Sequence, residues 1–415
     1  MKKFFTLFIC MVSLLLSYTS CSDEAFDVDT VNKQTILMFL PYSGSLTENL
    51  QINVDSICQG IKDKKGLNNS RVMVFFSENA NRSTLYDLQY DETTKQVSRV
   101  PVKTYEGIDY TTADGIADIL NEVKQQAEAL NYAMIIGCHG SGWTYADDWT
   151  NYPTQAKSHL GNTAWQNSHD GAFQFGSDPE HPITRTFGGL PQSSAKSIDV
   201  TTLAEGIKKT GITMQYILFD ACYMGNVETA YELKDVTNYL IASSSELMAS
   251  GIPYRTVWSS LNSETPSYSG IVTSTVNYYK KSGQPYCNLA AIDCRQMDKL
   301  ASIMKEINSK YSLASTVSLD SIQPLDGFSP HLFFDMGVYV DSLHLTGYQK
   351  EQFTNQLKTT IKAAASTDNV YTSLGMTTSN YIKVKSYCGL SISDPSEHSV
   401  ATKGREKTGW WKATH

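Results

Sequence analysis

Unbroken apolar runs separated by helical stretches are the feature of this sequence that most limits its fold. Strands that are apolar on both faces have to be covered on both faces, as in a parallel sheet between two layers of helices. We therefore predict an α/β fold, with a mostly parallel sheet sandwiched by helices and a C-terminal α+β extension. The predicted strands are TILMFLPY (35–42), RVMVFFSE (71–78), YAMIIGCHG (132–140), MQYILFDAC (214–222), YLIASSS (239–245) and CNLAAIDC (287–294).

The segments between these strands have other periodicities. Apolar residues at helical spacing predict helices, and residues 83–106 have the pattern of a hairpin. Residues 144–197 are rich in Gly, Asn, Ser, Asp and Pro and show little periodicity. So long an irregular stretch inside a domain is typical of a functional or mobile loop. The predicted helices are 46–64, 112–130, 199–211, 226–234, 296–311 and 346–366.

The N-terminus has the pattern of an export signal. Lys2 and Lys3 precede an apolar stretch over 4–16, which predicts a signal peptide at 1–20 rather than a spanning helix. Ser20 before Cys21 resembles a bacterial lipoprotein cleavage site. The resemblance implies a lipidated Cys21, a linker over 21–34, and a protein held on the membrane at the periplasmic or cell surface. A simple secretory signal cut nearby is the alternative.

Charge and cysteine content exclude several classes of protein. The net charge of −8 and the lack of a long basic run argue against a nucleic-acid partner. The cysteines beyond the export segment are widely spread and contain no CxxC pair, so a structural zinc site has no support. We expect most of them to be core thiols. They are Cys58, Cys138, Cys222, Cys287, Cys294 and Cys388.

Two strand ends carry residues that can do chemistry. His139 follows the third predicted strand in IIGCHGSGW, and Cys222 follows the fourth in LFDACYMG. Neighbouring parallel strands lie about 4.8 Å apart, so the two side chains emerge at one edge if these strands are adjacent. Alone, such a cysteine is more typical of packing and such a histidine of a turn. Together they match a nucleophile and its general acid/base.

Gly140 adds a third element to this hypothesis. Because it has no side chain, its N–H can approach a substrate carbonyl closely. With the N–H of Cys222, it would form an oxyanion hole. Gly225 and the helix predicted after it also place a helix start near the thiol of Cys222, which favours the thiolate form of this residue.

The motif HGSGW together with DACYMGNVETAYELK resembles the clostripain family of cysteine peptidases, in the caspase-like clan. The resemblance covers about residues 35–395. It implies a caspase-like peptidase domain over 35–294 with a C-terminal subdomain, 295–415, packed on it. It also implies that His139 is the general acid/base and Cys222 the nucleophile of an endopeptidase that forms a thioester. The chemistry requires no cofactor, although some relatives respond to Ca²⁺.

The resemblance further implies cleavage after Arg or Lys, with acidic residues in the specificity pocket. Asp220 matches one of these acids, but it is equally typical of a residue that caps a turn. Ser250 stands where the second acid is expected, and Glu246 lies four residues before it. A serine cannot make the bidentate contact of a carboxylate with a guanidinium. These three residues are the predicted substrate-binding set.

Relatives are often cut between the two catalytic motifs, which makes 144–197 a candidate processing region. Its basic residues are Lys157, Arg185 and Lys196. We expect a monomer that acts on peptides or proteins. The alternative is a catalytically inactive, surface-anchored binding lipoprotein with the same fold.

Overall fold

The computed structural model describes residues 31–149, 198–373 and 380–415. The predicted signal peptide, the lipidated Cys21 and most of the 144–197 loop lie outside these residues. Residues 32–415 form one compact unit. A search of the described residues for a helix long and apolar enough to cross a bilayer finds none.

A central sheet organises the molecule. Within the described residues it has nine strands, in the order β10-β8-β7-β6-β5-β1-β2-β3-β4. The neighbouring strands from β2 through β1, β5 and β6 to β7 are all parallel. The strands are β1 (Gln34–Leu40), β2 (Ser70–Ser77), β3 (Arg82–Asp91), β4 (Gln96–Glu106), β5 (Asn131–Gly137), β6 (Met214–Asp220), β7 (Tyr239–Ala242), β8 (Asn288–Asp293), β9 (Phe334–Asp335), β10 (Ile361–Ser366), β11 (Asn369–Tyr371), β12 (Tyr381–Lys383) and β13 (Ser391–Ile392).

Helices cover both faces of this sheet. The helices are α1 (Thr47–Asp63), α2 (Ala113–Gln126), α3 (Val200–Lys209), α4 (Val227–Glu232), α5 (Tyr254–Leu261), α6 (Tyr268–Lys281), α7 (Met297–Asn308), α8 (Met336–Ser342), α9 (Gly347–Thr360), α10 (Ser399–Gly404) and α11 (Gly409–Thr414). Strand residues alternate between two cores, since Leu37 and Phe39 pack with α2, α3 and α7, whereas Ile36 and Met38 pack with α1, α5 and α6. The predicted parallel sheet sandwiched by helices is confirmed.

The edges of the sheet are antiparallel. On one side, β3 and β4 form the hairpin predicted over 83–106. On the other side, β8 runs antiparallel to β7, and β10 pairs antiparallel with β8. The predicted helix over 346–366 is wrong in its last turn and a half: α9 ends at Thr360, and Ile361–Ser366 is a strand. The edge of β8 that does not pair with β7 supplies a pairing partner for this segment. This pairing overrides the helix propensity of its alanines.

The chain after residue 294 is part of the main body of the fold. It contributes β10 to the central sheet, and α11 packs against α7 and α4. The pair β13–β9 is joined to the turn after β6 by a bridge between Ser391 and Asn226. The boundary predicted at residue 295 therefore does not separate two compact units.

Candidate active site

The ends of β5 and β6 bring the two predicted catalytic motifs together. Gly137 pairs with Asp220 in the parallel register of these strands. His139 and Cys222 each lie two residues beyond that pair, so the two residues leave the sheet at the same edge. The predicted dyad depended on β5 and β6 being neighbours, and they are.

Gly140 lies directly against the backbone of Cys222. A Cβ atom built on Gly140 would be 2.3 Å from the carbonyl oxygen of Cys222 and 3.0 Å from its nitrogen. No side chain fits in that space, because real Cβ contacts do not come so close. The N–H groups expected to form the oxyanion hole thus belong to backbone segments in contact with each other.

The thiol of Cys222 is buried in the described conformation. Cys222 is 0 % exposed, and its Sγ accepts a hydrogen bond from the Leu247 N–H at 3.1 Å. The carbonyl oxygen of Leu247 lies 3.6 Å from the same sulfur. The sulfur therefore contacts the turn after β7. All six cysteines in the described part of the chain are thiols rather than halves of disulfides.

Tyr223 follows the cysteine in an unusual backbone conformation. Its φ is +62°, in the left-handed region that a bulky residue seldom adopts. Its hydroxyl donates to Glu246 Oε1 at 2.9 Å, and its ring stacks on Phe333. Burial, with the nearby Glu246 carboxylate, raises the pKa of Tyr223 well above its usual value. These contacts over-determine the turn that presents Cys222.

Glu246 is buried and faces protein groups rather than solvent. Besides the tyrosine hydroxyl, it accepts a hydrogen bond from the Ser373 N–H at 2.9 Å. In this conformation its contacts are those of a residue that supports the cysteine turn. The substrate-binding role of Glu246 stays a prediction.

Asp220 is also fully buried. Its Oδ1 accepts from the Ile252 N–H at 3.1 Å, and its Oδ2 accepts from the Tyr254 hydroxyl at 2.7 Å. The carboxylate thereby fixes the turn that leads into α5, in agreement with the turn-capping interpretation. Its part in specificity also stays a prediction.

Ser250 is exposed on this same turn. Its hydroxyl lies 3.0 Å from that of Tyr279, and its carbonyl oxygen accepts from Asn53 at 2.9 Å. Of the three predicted substrate-binding residues, Ser250 is the one whose surface meets solvent.

A cavity of about 100 Å³ lies beside His139, and its apolar lining includes members of the core opposite the one that contains Cys222. Asp199 reaches it from the start of α3, and burial raises the pKa of its carboxyl. The lining includes Phe39, Tyr42, Cys138, His139, Gly140, Thr144, Leu203 and Met224.

Metal binding has no assigned residues. Within the described residues, no group of three or more His, Cys, Asp or Glu side chains is gathered around one point. We assign no calcium ligands, and the calcium response implied by resemblance stays a prediction.

Comparison with known proteins decides the family. The model of the clostripain family, Peptidase_C11, matches residues 168–402. A secreted C11 cysteine protease from Bacteroides thetaiotaomicron, called iotapain, is 34 % identical with a TM-score of 0.78, and the match covers 93 % of this chain and 100 % of that one. The chain belongs to the clostripain family. The predicted resemblance is confirmed.

Two further solved structures resemble this clostripain family member. A clostripain from the same organism, in complex with the peptide inhibitor BTN-VLTK-AOMK, is 41 % identical over 54 % of this chain and 97 % of that one, with a TM-score of 0.51. An inactive zymogen of a C11 protease from Parabacteroides distasonis is 21 % identical, with a TM-score of 0.74 over 93 % of this chain and 99 % of that one. The latter likeness shows the fold alone. A search of curated proteins finds no match.

Several residues of this site were missed by sequence reasoning. The peptide of Leu247 contacts the sulfur through backbone atoms, which leave no signal in the side-chain pattern. Tyr223 has no glycine-like residue type to announce its positive φ. Trp143 lies inside the HGSGW motif, and this position was the one sequence signal that pointed to it.

Proposed function

We propose that this clostripain family member is a cysteine endopeptidase that works through a His139–Cys222 dyad. The observation that carries the proposal is the close approach of Gly140 to the Cys222 backbone at the ends of paired strands. Family membership supports the same chemistry.

The reaction follows from the two side chains and two backbone groups. His139 takes the proton of the Cys222 thiol, and the sulfur attacks the carbonyl carbon of the scissile bond. The N–H groups of Gly140 and Cys222 hold the oxyanion of the tetrahedral intermediate. As the carbon–nitrogen bond breaks, His139 gives its proton to the leaving amine, which leaves a thioester on Cys222. His139 then activates a water molecule that hydrolyses the thioester and restores the thiol.

The described conformation is proposed to be a resting state. With its sulfur against Leu247 and 0 % exposed, Cys222 cannot meet a peptide until the turn after β7 moves. A processing cut within 144–197, after Lys157, Arg185 or Lys196, is the proposed activating step. The Cys222→Ala variant tests whether the chain makes this cut itself, because an autocatalytic cut disappears in that variant.

We also propose a preference for Arg or Lys before the scissile bond. The support is the peptide VLTK in the inhibitor bound by the 41 % identical clostripain. A panel of peptides that differ only in this residue tests it. Arg and Lys peptides should be hydrolysed at least about tenfold faster than Ala or Leu peptides, because a hydrogen bond to a charged group contributes about 1.5–3 kcal/mol and about 1.4 kcal/mol changes a rate tenfold. Equal rates would contradict the proposed preference for Arg or Lys but would not contradict the His139–Cys222 dyad.

Export and anchoring complete the proposal. Cys21 is proposed to carry the lipid that holds the mature protein on the membrane surface, and the description of iotapain as secreted supports export. In the native host compartment, Cys21→Ala should move the protein from the membrane fraction to the soluble fraction. Persistence of the variant in the membrane fraction would contradict the lipid anchor.

Hydrolysis of peptides by the processed chain tests the enzyme itself. Cys222→Ala should abolish turnover, and His139→Ala should lower kcat by about a hundredfold or more, because it removes the general acid/base. Cys58→Ala, a core thiol on α1, is the matched control and should keep the wild-type rate. Turnover by the Cys222→Ala variant would contradict the mechanism. A wild-type chain that neither hydrolyses peptides nor is alkylated at Cys222 by a peptide-based reagent would favour the binding-protein alternative.

A further inference from the structure

We infer that Ser393 is a positioning residue of the peptidase site, which ties the loop that follows β5 to the helix that follows Cys222. The inference rests on the proposed function, because it assigns a residue that aligns the proposed dyad. We call residues 138–143 the histidine loop and residues 221–226 the cysteine loop. Ser393 follows β13 and is distant from both loops in sequence.

One serine contacts both sides of the site. The Trp143 indole N–H, at the end of the histidine loop, donates to Ser393 Oγ at 2.9 Å. The Ser393 backbone N–H donates to Glu228 Oε1 at 2.8 Å, in the first turn of α4. All three residues are at most 3 % exposed, so both hydrogen bonds are shielded from water.

The segment that carries Ser393 is fastened to the cysteine loop by its backbone. The Ser391 N–H donates to the Gly225 carbonyl oxygen at 3.0 Å, and Ser391 and Asn226 form a parallel bridge. The Gly225 N–H in turn donates to the Ser243 carbonyl oxygen at 2.7 Å. The position of Ser393 relative to Cys222 is therefore set by main-chain contacts, and its hydroxyl is placed to receive the indole.

The histidine loop needs such an anchor. Gly140 and Gly142 have no side chains, and Gly142 has a φ of +69°. A Cβ on Gly142 would lie 2.6 Å from the Phe333 ring, so the loop passes through a narrow space. The first large side chain after His139 that is deeply buried is Trp143. Fixing its indole fixes the end of the loop that presents His139.

Loss of this anchor should act on the chemical step. A shift of about 1 Å between reacting groups can cost about a hundredfold in rate, although the substrate still binds. A merely structural serine would instead lower the melting temperature and leave kcat unchanged. The separation of kcat from KM and from stability thus distinguishes the two roles.

The test uses the processed full chain and a peptide substrate with Lys before the scissile bond. It measures kcat, KM and the pH profile of kcat/KM, and separately the melting temperature of the chain. We expect Ser393→Ala to lower kcat about tenfold with KM changed by less than about twofold, and to move the acid limb of the profile, which reports the dyad. Ser393→Thr keeps the acceptor oxygen and should recover most of the rate. Trp143→Phe removes the donor, should match Ser393→Ala, and should add little to it in the double variant.

Ser391→Ala is the matched control. Ser391 lies in β13, two residues before Ser393, and is equally buried, but its hydroxyl donates to the Gly225 carbonyl oxygen, whereas the indole of Trp143 donates to Ser393. The inference is overturned if Ser393→Ala and Trp143→Phe keep the wild-type kcat, or lose no more than Ser391→Ala does. A wild-type chain that neither turns over peptide nor labels at Cys222 would instead refute the proposed function, on which the inference depends.

Discussion

At the scale of single residues, buried carboxylates next to the cysteine loop hold turns in place. Asp220 accepts hydrogen bonds from Ile252 and Tyr254, and Glu246 accepts them from Tyr223 and Ser373. A carboxylate that receives two such donors is stabilised in its position. These contacts stabilise the described conformation of the cysteine turn.

Tyr254→Phe tests the structural role of Asp220. The change removes a 2.7 Å hydrogen bond to the buried carboxylate and should lower the free energy of unfolding by about 1.5–3 kcal/mol. Denaturant unfolding of the Cys222→Ala background measures it without self-cleavage. If the Arg or Lys preference of the active chain also disappears in Tyr254→Phe, this turn takes part in specificity. An unchanged unfolding free energy would contradict the structural role.

Gly140→Ala tests the close approach of the two loops. Because the added methyl would lie 2.3 Å from the Cys222 carbonyl oxygen, the loops have to separate, and we expect kcat to fall by about a hundredfold or more. Gly283→Ala is the control, since nothing lies within 4 Å of its Cβ position. Activity of Gly140→Ala close to that of Gly283→Ala would show that the loops do not need this contact.

At the scale of elements, the sequence predicted the strands well and one helix end badly. Each of the six apolar runs forms a strand, because apolarity on both faces leaves few other solutions. The segment Ile361–Ser366 was assigned to a helix because its alanines favour one, and nothing local shows that the edge of β8 lies beside it. Pairing with a distant strand is information that propensity does not contain.

The same limit applies to the site. The sequence placed His139 and Cys222 at the ends of two strands, and the structure supplies the adjacency of those strands on which the predicted dyad depended. The contacts of Trp143 with Ser393 and of Cys222 with Leu247 connect residues far apart in the chain, and they depend on how loops pack. Spacing and residue type do not determine such contacts.

Helix α4 carries a buried carboxyl that should make stability depend on pH. Burial, reinforced by the nearby Asp394, raises the pKa of Glu228 to about 8, and burial raises that of Asp394 to about 7 despite Arg405. Both groups bind a proton more tightly in the folded chain than in the unfolded one. Their contribution to stability is therefore complete below about pH 4 and is lost as the pH rises to about 8.

Glu228→Gln measures this contribution. Glutamine keeps an acceptor for the Ser393 N–H but cannot ionise, so the variant should gain about 1 kcal/mol or more on the wild type between pH 5 and pH 8.5. Denaturant unfolding at a series of pH values measures the difference. Glu232→Gln, on the same helix, is the control. Parallel pH curves for Glu228→Gln and the wild type would contradict the raised pKa.

At the scale of the whole molecule, the loop 144–197 separates two adjacent strands of one sheet. β5 precedes the loop and β6 follows it, and the two pair in parallel, while α2 and α3 pack together on one face. The sheet therefore holds the two parts of the chain together independently of the covalent link between them.

A chain cut within 144–197 should consequently stay in one piece under native conditions. Both fragments should elute together in size-exclusion chromatography at the mass of the uncut chain, and separate in denaturant. A site-specific cut with an added protease in the Cys222→Ala background provides the sample, and the uncut chain is the reference. Separate elution of the native fragments would contradict the continuity of the sheet across the cut.

The most direct test of the account is the site at which an active-site reagent reacts. A lysine-ending peptide with an alkylating group is incubated with the processed chain, and the modified residue is mapped by mass spectrometry. We predict a single adduct on the sulfur of Cys222, formed at least about a hundredfold more slowly in His139→Ala and at the wild-type rate in Cys58→Ala. Labelling of another cysteine with Cys222 unmodified, or an equal rate in His139→Ala, would contradict a dyad formed by these two residues.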